Sequence, residues 1–83
     1  MGKYDPIREF LFTSGKATVS VSFDELGKLV SGGLPRSAYT YQAWWANEHK
    51  PQTHVQKQAW LAAGYEVDSY DLRTQRVRFR KVR

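Results

Sequence analysis

At Gly64 the hydrophobic period of the chain changes from 3.6 residues to 2, and this change limits the fold more than any other feature of the sequence. Ala59-Trp60-Leu61-Ala62-Ala63 reads as the end of a helix, with Gly64 as a left-handed C-cap. Beyond it, apolar and polar residues alternate as in two strands of a hairpin. With the turn centred on Arg73, facing residue numbers sum to 146. Val67 then opposes Phe79, and Ser69 opposes Val77, on an inner face. Glu66 with Arg80, Asp68 with Arg78 and Tyr70 with Arg76 share the outer face.

Upstream, Asp5 to Phe12 reads as a short helix with Asp5 as N-cap, Pro6 at the first helical position and Ser14-Gly15 as its end. Ala17 to Val21 alternates as a half-buried strand, with Ala17, Val19 and Val21 on one side and Thr18 and Ser20 on the other. Ser22-Phe23-Asp24-Glu25 fits a capping box, and the helix it opens carries Phe23, Leu26, Leu29 and Val30 as an apolar stripe. Ser31-Gly32-Gly33-Leu34-Pro35 breaks that helix. Ser37 can cap a third helix over Ala38 to Asn47, with Ala38, Tyr41 and Trp45 along one stripe and Trp44 about 100° away around the axis. Thr53-His54-Val55-Gln56 is a second capping box, and it starts the helix that ends at Gly64.

An 83-residue chain with 41% hydrophobic residues and 12 aromatics (3 Trp, 5 Tyr, 4 Phe) can pack one modest core, and the reading is one domain over residues 1–83. There is no cysteine, so disulfides and thiolate metal sites are excluded as sources of stability. No run approaches the roughly 18 apolar residues of a membrane span, and no secretory leader is visible, so the expected address is cytoplasmic, with no membrane partner. The net charge of +5 is unevenly laid: residues 1–72 hold seven Lys or Arg against eight Asp or Glu, whereas residues 73–83 hold six cations and no acid. A terminal block of one sign suits a polyphosphate partner.

The order helix, strand, three helices and hairpin resembles a winged helix with one extra helix. In that architecture the lone early strand joins the hairpin in a small antiparallel sheet, so the fold class is α+β, order α-β-α-α-α-β-β. Several stretches, Phe23-Asp24-Glu25-Leu26, Leu34-Pro35 with Ser37-Ala38, Ala43-Trp44-Trp45-Ala46-Asn47 and Ala59-Trp60-Leu61-Ala62-Ala63-Gly64, are similar to a family of small uncharacterised bacterial and phage domains marked by Trp-Trp-Ala-Asn. That resemblance implies a fold and no activity.

The expected function is a non-catalytic nucleic-acid-binding module for duplex DNA. Its wing residues are Arg73, Arg76, Arg78, Arg80, Lys81 and Arg83, and its helical contacts are Arg36, Tyr39, Gln42, Asn47, His54 and Lys57. Arg76, Arg78 and Arg80 recur about 6.8 Å apart along a strand, near the spacing of successive phosphates. Against this stands a self-neutralised sheet, with Glu66 and Asp68 facing Arg80 and Arg78. The alternative function is a protein-interaction module or phage-encoded inhibitor that docks through the hairpin edge or an exposed Trp surface. An exposed Trp platform would instead favour unpaired bases. Trp60 and at least one of Trp44 and Trp45 are expected in the core. His49 and His54 are five apart with a proline between them and have no third ligand, so no metal, cofactor or small-molecule substrate is expected.

Overall fold

The computed structural model describes residues 3–45 and 56–82, with only the backbone of Gln56, Lys57 and Gln58. The elements are α1 (Asp5–Ser14), β1 (Thr18–Ser22), α2 (Phe23–Gly27), α3 (Arg36–Thr40), a 3-10 turn (Gln42–Trp45), α4 (Gln56–Ala62), β2 (Tyr65–Asp71) and β3 (Arg76–Lys81). The described residues form a small α+β arrangement of four α-helices and one antiparallel sheet, with strand order β1-β3-β2. The early strand does join the hairpin, and β3 is the central strand.

α1 runs two residues further than expected. Tyr4, not Asp5, holds the N-cap position, and Asp5 lies in the first turn, where its charge suits the helix dipole. Gly15 closes the helix at φ 63°, and its N–H donates to the Leu11 carbonyl at 3.3 Å. The expected capping box at α2 is present: the Glu25 N–H donates to Ser22 Oγ at 3.0 Å, and the Ser22 N–H donates to Glu25 Oε1 at 2.8 Å. The helix is only five residues long, so Val30 reaches the core from the following turn, and Leu29 is half-buried.

The third helix differs from expectation in both its start and its course. Its N-cap is Pro35, not Ser37, and Tyr41 ends it with an extended backbone (φ −121°, ψ 125°). Tyr41 is therefore 65% exposed, not part of the apolar stripe. On an unbroken helix, adjacent Trp side chains diverge by about 100° and cannot both face one core. The break and the 3-10 turn after it bury both Trp44 and Trp45. Trp45 Nε1 donates to the Ala38 carbonyl at 2.9 Å across the break, so burial of the indole leaves no donor unpaired there. The Thr53 to Gln56 capping box lies outside the described residues.

Trp45 is central to a column of rings. Phe23 stacks on it at 4.7 Å and 22°, Trp60 at 5.9 Å and 16°, and Phe79 lies 5.6 Å beyond Trp60. The column joins α2, the 3-10 turn, α4 and β3, and each such pair contributes about 0.5–1.5 kcal/mol beyond area burial. Ile7 and Leu11 of α1 and Val19, Val21, Val67 and Val77 of the sheet complete the core.

The hairpin register corrects the sequence expectation beyond Val67. Glu66 opposes Arg80 and Val67 opposes Phe79 as expected, but a bulge at Asp68 shifts the rest, so Ser69 opposes Arg78, Tyr70 opposes Val77 and Asp71 opposes Arg76. The unshifted register would turn the Ser69 hydroxyl into the core. One inserted residue exchanges the faces, so Ser69 is exposed and Asp71 joins the outer side. Pairing of Asp71 with Arg76 leaves the four-residue loop Leu72–Gln75, where the expected last pair, Tyr70 with Arg76, left five residues between the strands.

Candidate functional site

Alternation along β3 turns Val77 and Phe79 inward and Arg76, Arg78 and Arg80 outward. Because β3 is central, each arginine is flanked on both sides. The rows across the outer face are Thr18–Arg80–Glu66, Ser20–Arg78–Ser69 and Ser22–Arg76–Asp71. Hydroxyl side chains thus border the arginines along β1, while β2 borders them mostly with carboxylates.

Two of the carboxylates are engaged. Arg78 Nε lies 2.8 Å from Asp68 Oδ2, and Arg80 Nη2 lies 3.2 Å from Glu66 Oε1. The arginine side chains of these pairs remain 53% and 56% exposed, so each pair contributes only about 0–1 kcal/mol. The terminal nitrogens of Arg78 remain available, because its contact to Asp68 uses Nε. Arg76 forms no ion pair among the described residues, although its charge acts on the Glu25 carboxylate. Asp71 is turned toward the loop, where its Oδ1 accepts the N–H groups of Arg73 at 2.8 Å and Thr74 at 3.2 Å. These bonds, first that from Thr74, lower its pKa.

The basic run of the sequence is therefore offset in space. Three arginines share the sheet face with Glu66, Asp68 and Asp71, whereas sequence position alone shows six cations without an acid. Arg73 stands exposed in the loop. Lys81 opposes Tyr65 and alternates away from the arginine row, though it too is exposed. Of the helical candidates, Arg36 and Gln42 are exposed on α3 and the 3-10 turn. Tyr39 is half-buried: its hydroxyl donates to Asp24 Oδ1 at 3.0 Å and its ring meets Phe23 edge-on. Burial and that hydrogen bond raise its pKa. Asn47, His54 and Arg83, and the side chain of Lys57, lie outside the described residues.

Trp44, Trp45 and Trp60 are all buried, so none of them forms a surface for stacking bases. Among the described residues no group of three His, Cys, Asp or Glu could hold a metal ion, and no helix is long and apolar enough to cross a membrane. The sequence reading missed the outward row of Thr18, Ser20 and Ser22 beside the arginines. Alternation had set Thr18 and Ser20 on one side of a strand that joins the hairpin, but which hairpin strand it pairs with, and in what register, was not readable.

No curated protein and no solved structure matches the chain. A family model described as a domain of unknown function (DUF7662) matches residues 4–82, and the chain therefore belongs to that family.

Proposed function

We propose that this chain is a non-catalytic nucleic-acid-binding module of winged-helix type, with duplex DNA as its ligand and the β2–β3 hairpin as its wing. The single observation that carries the reading is the outward row of Arg76, Arg78 and Arg80 on the central strand, bordered by the hydroxyl residues Thr18, Ser20 and Ser22. Alternate residues of a strand recur at about 6.8 Å, a spacing that lets successive phosphates meet successive guanidinium groups. Hydroxyls are ordinary phosphate donors, and Asp68 and Glu66 hold two of the guanidinium groups in place. The element order and the strand order β1-β3-β2 suit a winged helix, in which α4 leads through Gly64 directly into the wing. Burial of all three Trp favours duplex over unpaired strands.

Titration of labelled duplex and single-stranded DNA at about 50 and 200 mM salt tests the proposal. With about three to five phosphates contacted, log affinity for duplex should fall against log salt with a slope of roughly −3 to −4.5. The Arg76→Gln, Arg78→Gln, Arg80→Gln triple variant should lose most of that affinity with an unchanged circular dichroism spectrum, while Lys3→Gln should retain it. Undetectable duplex binding at the lower salt, or binding indifferent to the triple change, would reject the proposal in favour of a protein-interaction module.

A further inference from the structure

The two edges of the sheet are unlike. β2 presents Glu66, Asp68 and Asp71 and carries the bulge, devices that discourage a further strand from pairing. β1, Thr18-Val19-Ser20-Val21-Ser22, has no charge, no proline and no bulge. The hairpin edge anticipated as a docking surface is therefore the guarded one, and the open edge lies on the opposite side of the sheet.

The ladder defines what β1 leaves free. The Lys81 N–H donates to the Ala17 carbonyl at 2.8 Å, and the Phe23 N–H donates to the Gln75 carbonyl at 2.9 Å. With Val19 opposite Phe79 and Val21 opposite Val77, the odd-numbered residues exchange bonds with β3, and the even-numbered ones point away from it. At one end, the outward Ser22 N–H is taken by Glu25 Oε1; at the other, the Lys16 N–H lies 3.4 Å from Ser14 Oγ. Between these ends, Thr18 and Ser20 keep their outward N–H and C=O groups without a partner among the described residues. A cleft of about 660 Å³ runs beside this edge, with Phe10 of α1, Val19, Val21 and Leu29 among its walls.

We propose that β1 is a self-association edge, at which two copies of this chain pair antiparallel about a two-fold axis at Val19 and join their sheets into one of six strands. Thr18 of each copy then opposes Ser20 of the other as a hydrogen-bonded pair, and the four bonds across the axis use every outward group of both residues. Val19 faces its own counterpart in the closer, non-hydrogen-bonded position. The same axis sets residue 16 opposite residue 22 of the second copy. Because the Glu25 carboxylate is held on the Ser22 N–H at this edge, each Lys16 ammonium meets the Glu25 carboxylate of the other copy, and the surface is complementary to itself in charge. The two clefts lie side by side beneath the joined strands, where Phe10 and Leu29 of both copies supply apolar contact. Pairing over so short a strand buries less than a standard interface, so the dimer is of the weak, transient kind.

Sedimentation equilibrium between about 5 and 500 µM, combined with amide hydrogen exchange of the same samples, tests the pairing. The mass should rise from monomer toward dimer, and the Thr18 and Ser20 amides should become protected only at the higher concentrations. Ser20→Pro removes an outward donor without touching a bond to β3, and should leave a folded monomer throughout the range. Should that variant fail to fold, Lys16→Glu supplies the second test, because it replaces attraction to Glu25 with repulsion at two symmetric places and should raise the Kd by about tenfold or more. A synthetic peptide of residues 16–22 should compete with the dimer. A wild-type protein that stays monomeric at 500 µM overturns the proposal and leaves the edge to a foreign strand. So does a dimer in which those two amides stay unprotected, or one that Lys16→Glu does not weaken.

Discussion

Replacing Gln75 by glycine should stabilise the protein. Gln75 closes the β2–β3 loop and is the only non-glycine residue with positive φ among those described, at 59°. The conformation places its N–H on the Asp71 carbonyl at 2.8 Å and its carbonyl on the Phe23 N–H at 2.9 Å, so the loop also satisfies a free donor at the start of α2. A left-handed conformation costs an L-residue roughly 1–2 kcal/mol. Glycine avoids that cost but loses about 0.5–1 kcal/mol through its greater freedom in the unfolded chain. The Gln75 side chain is exposed, and both backbone bonds survive its removal, so a net gain of about 0.5–1 kcal/mol remains. With a urea m-value near 1 kcal/mol/M, the low end for small proteins, the midpoint should rise by about 0.5–1 M at constant m. Gln75→Ala keeps the strained conformation and should show no such gain. A midpoint for Gln75→Gly equal to or below wild type would show that the loop is not strained as its geometry indicates.

Trp45→Phe keeps a ring in the aromatic column but removes the donor to the Ala38 carbonyl, and the unpaired acceptor together with the lost volume should cost about 2–4 kcal/mol in a urea melt. A loss below about 0.5 kcal/mol would mean that water or a rearrangement replaces that bond. The Glu25 and Asp71 carboxyls are both held below their ordinary pKa values, first by the N–H groups of Ser22 and Thr74 respectively. Their contribution is therefore fully present above the ordinary carboxylate pKa range and is lost as the pH falls through the lowered values. Urea midpoints should accordingly drop between pH 5 and pH 3, and the drop should be shallower in the Glu25→Gln, Asp71→Asn double variant, whose side chains can still accept those bonds without titrating.

Local signals proved reliable where a few adjacent residues determine the geometry. Ser22 and Glu25 lie close enough in the chain to close a capping box whatever else surrounds them, and Gly15 and Gly64 take the left-handed conformations at which helices end. Alternation from Arg76 to Arg80 placed Val77 and Phe79 inside and the arginines outside, because a strand has only two faces. The candidate site was legible to the same depth. Its arginine row was readable, but Thr18, Ser20 and Ser22 beside it and Asp71 across from Arg76 were not, since these neighbours belong to other strands.

By itself, then, the sequence determined the order of the elements, the caps at Gly15, Ser22 and Gly64, and the inward or outward sense of most strand residues, all of which depend on interactions within about four residues. Tertiary structure decided the break at Tyr41, because only a shared core makes it favourable to bury Trp44 and Trp45 together rather than continue a helix that separates them. It decided the bulge at Asp68, because Ser69 is excluded from an apolar interior that Tyr70 can border. It also decided the charge of the sheet face: six cations in a row along the chain become three arginines set among three carboxylates once β3 lies beside β2. Local chemistry is encoded by neighbours in the chain, whereas net charge, exposure and edge availability belong to neighbours in space.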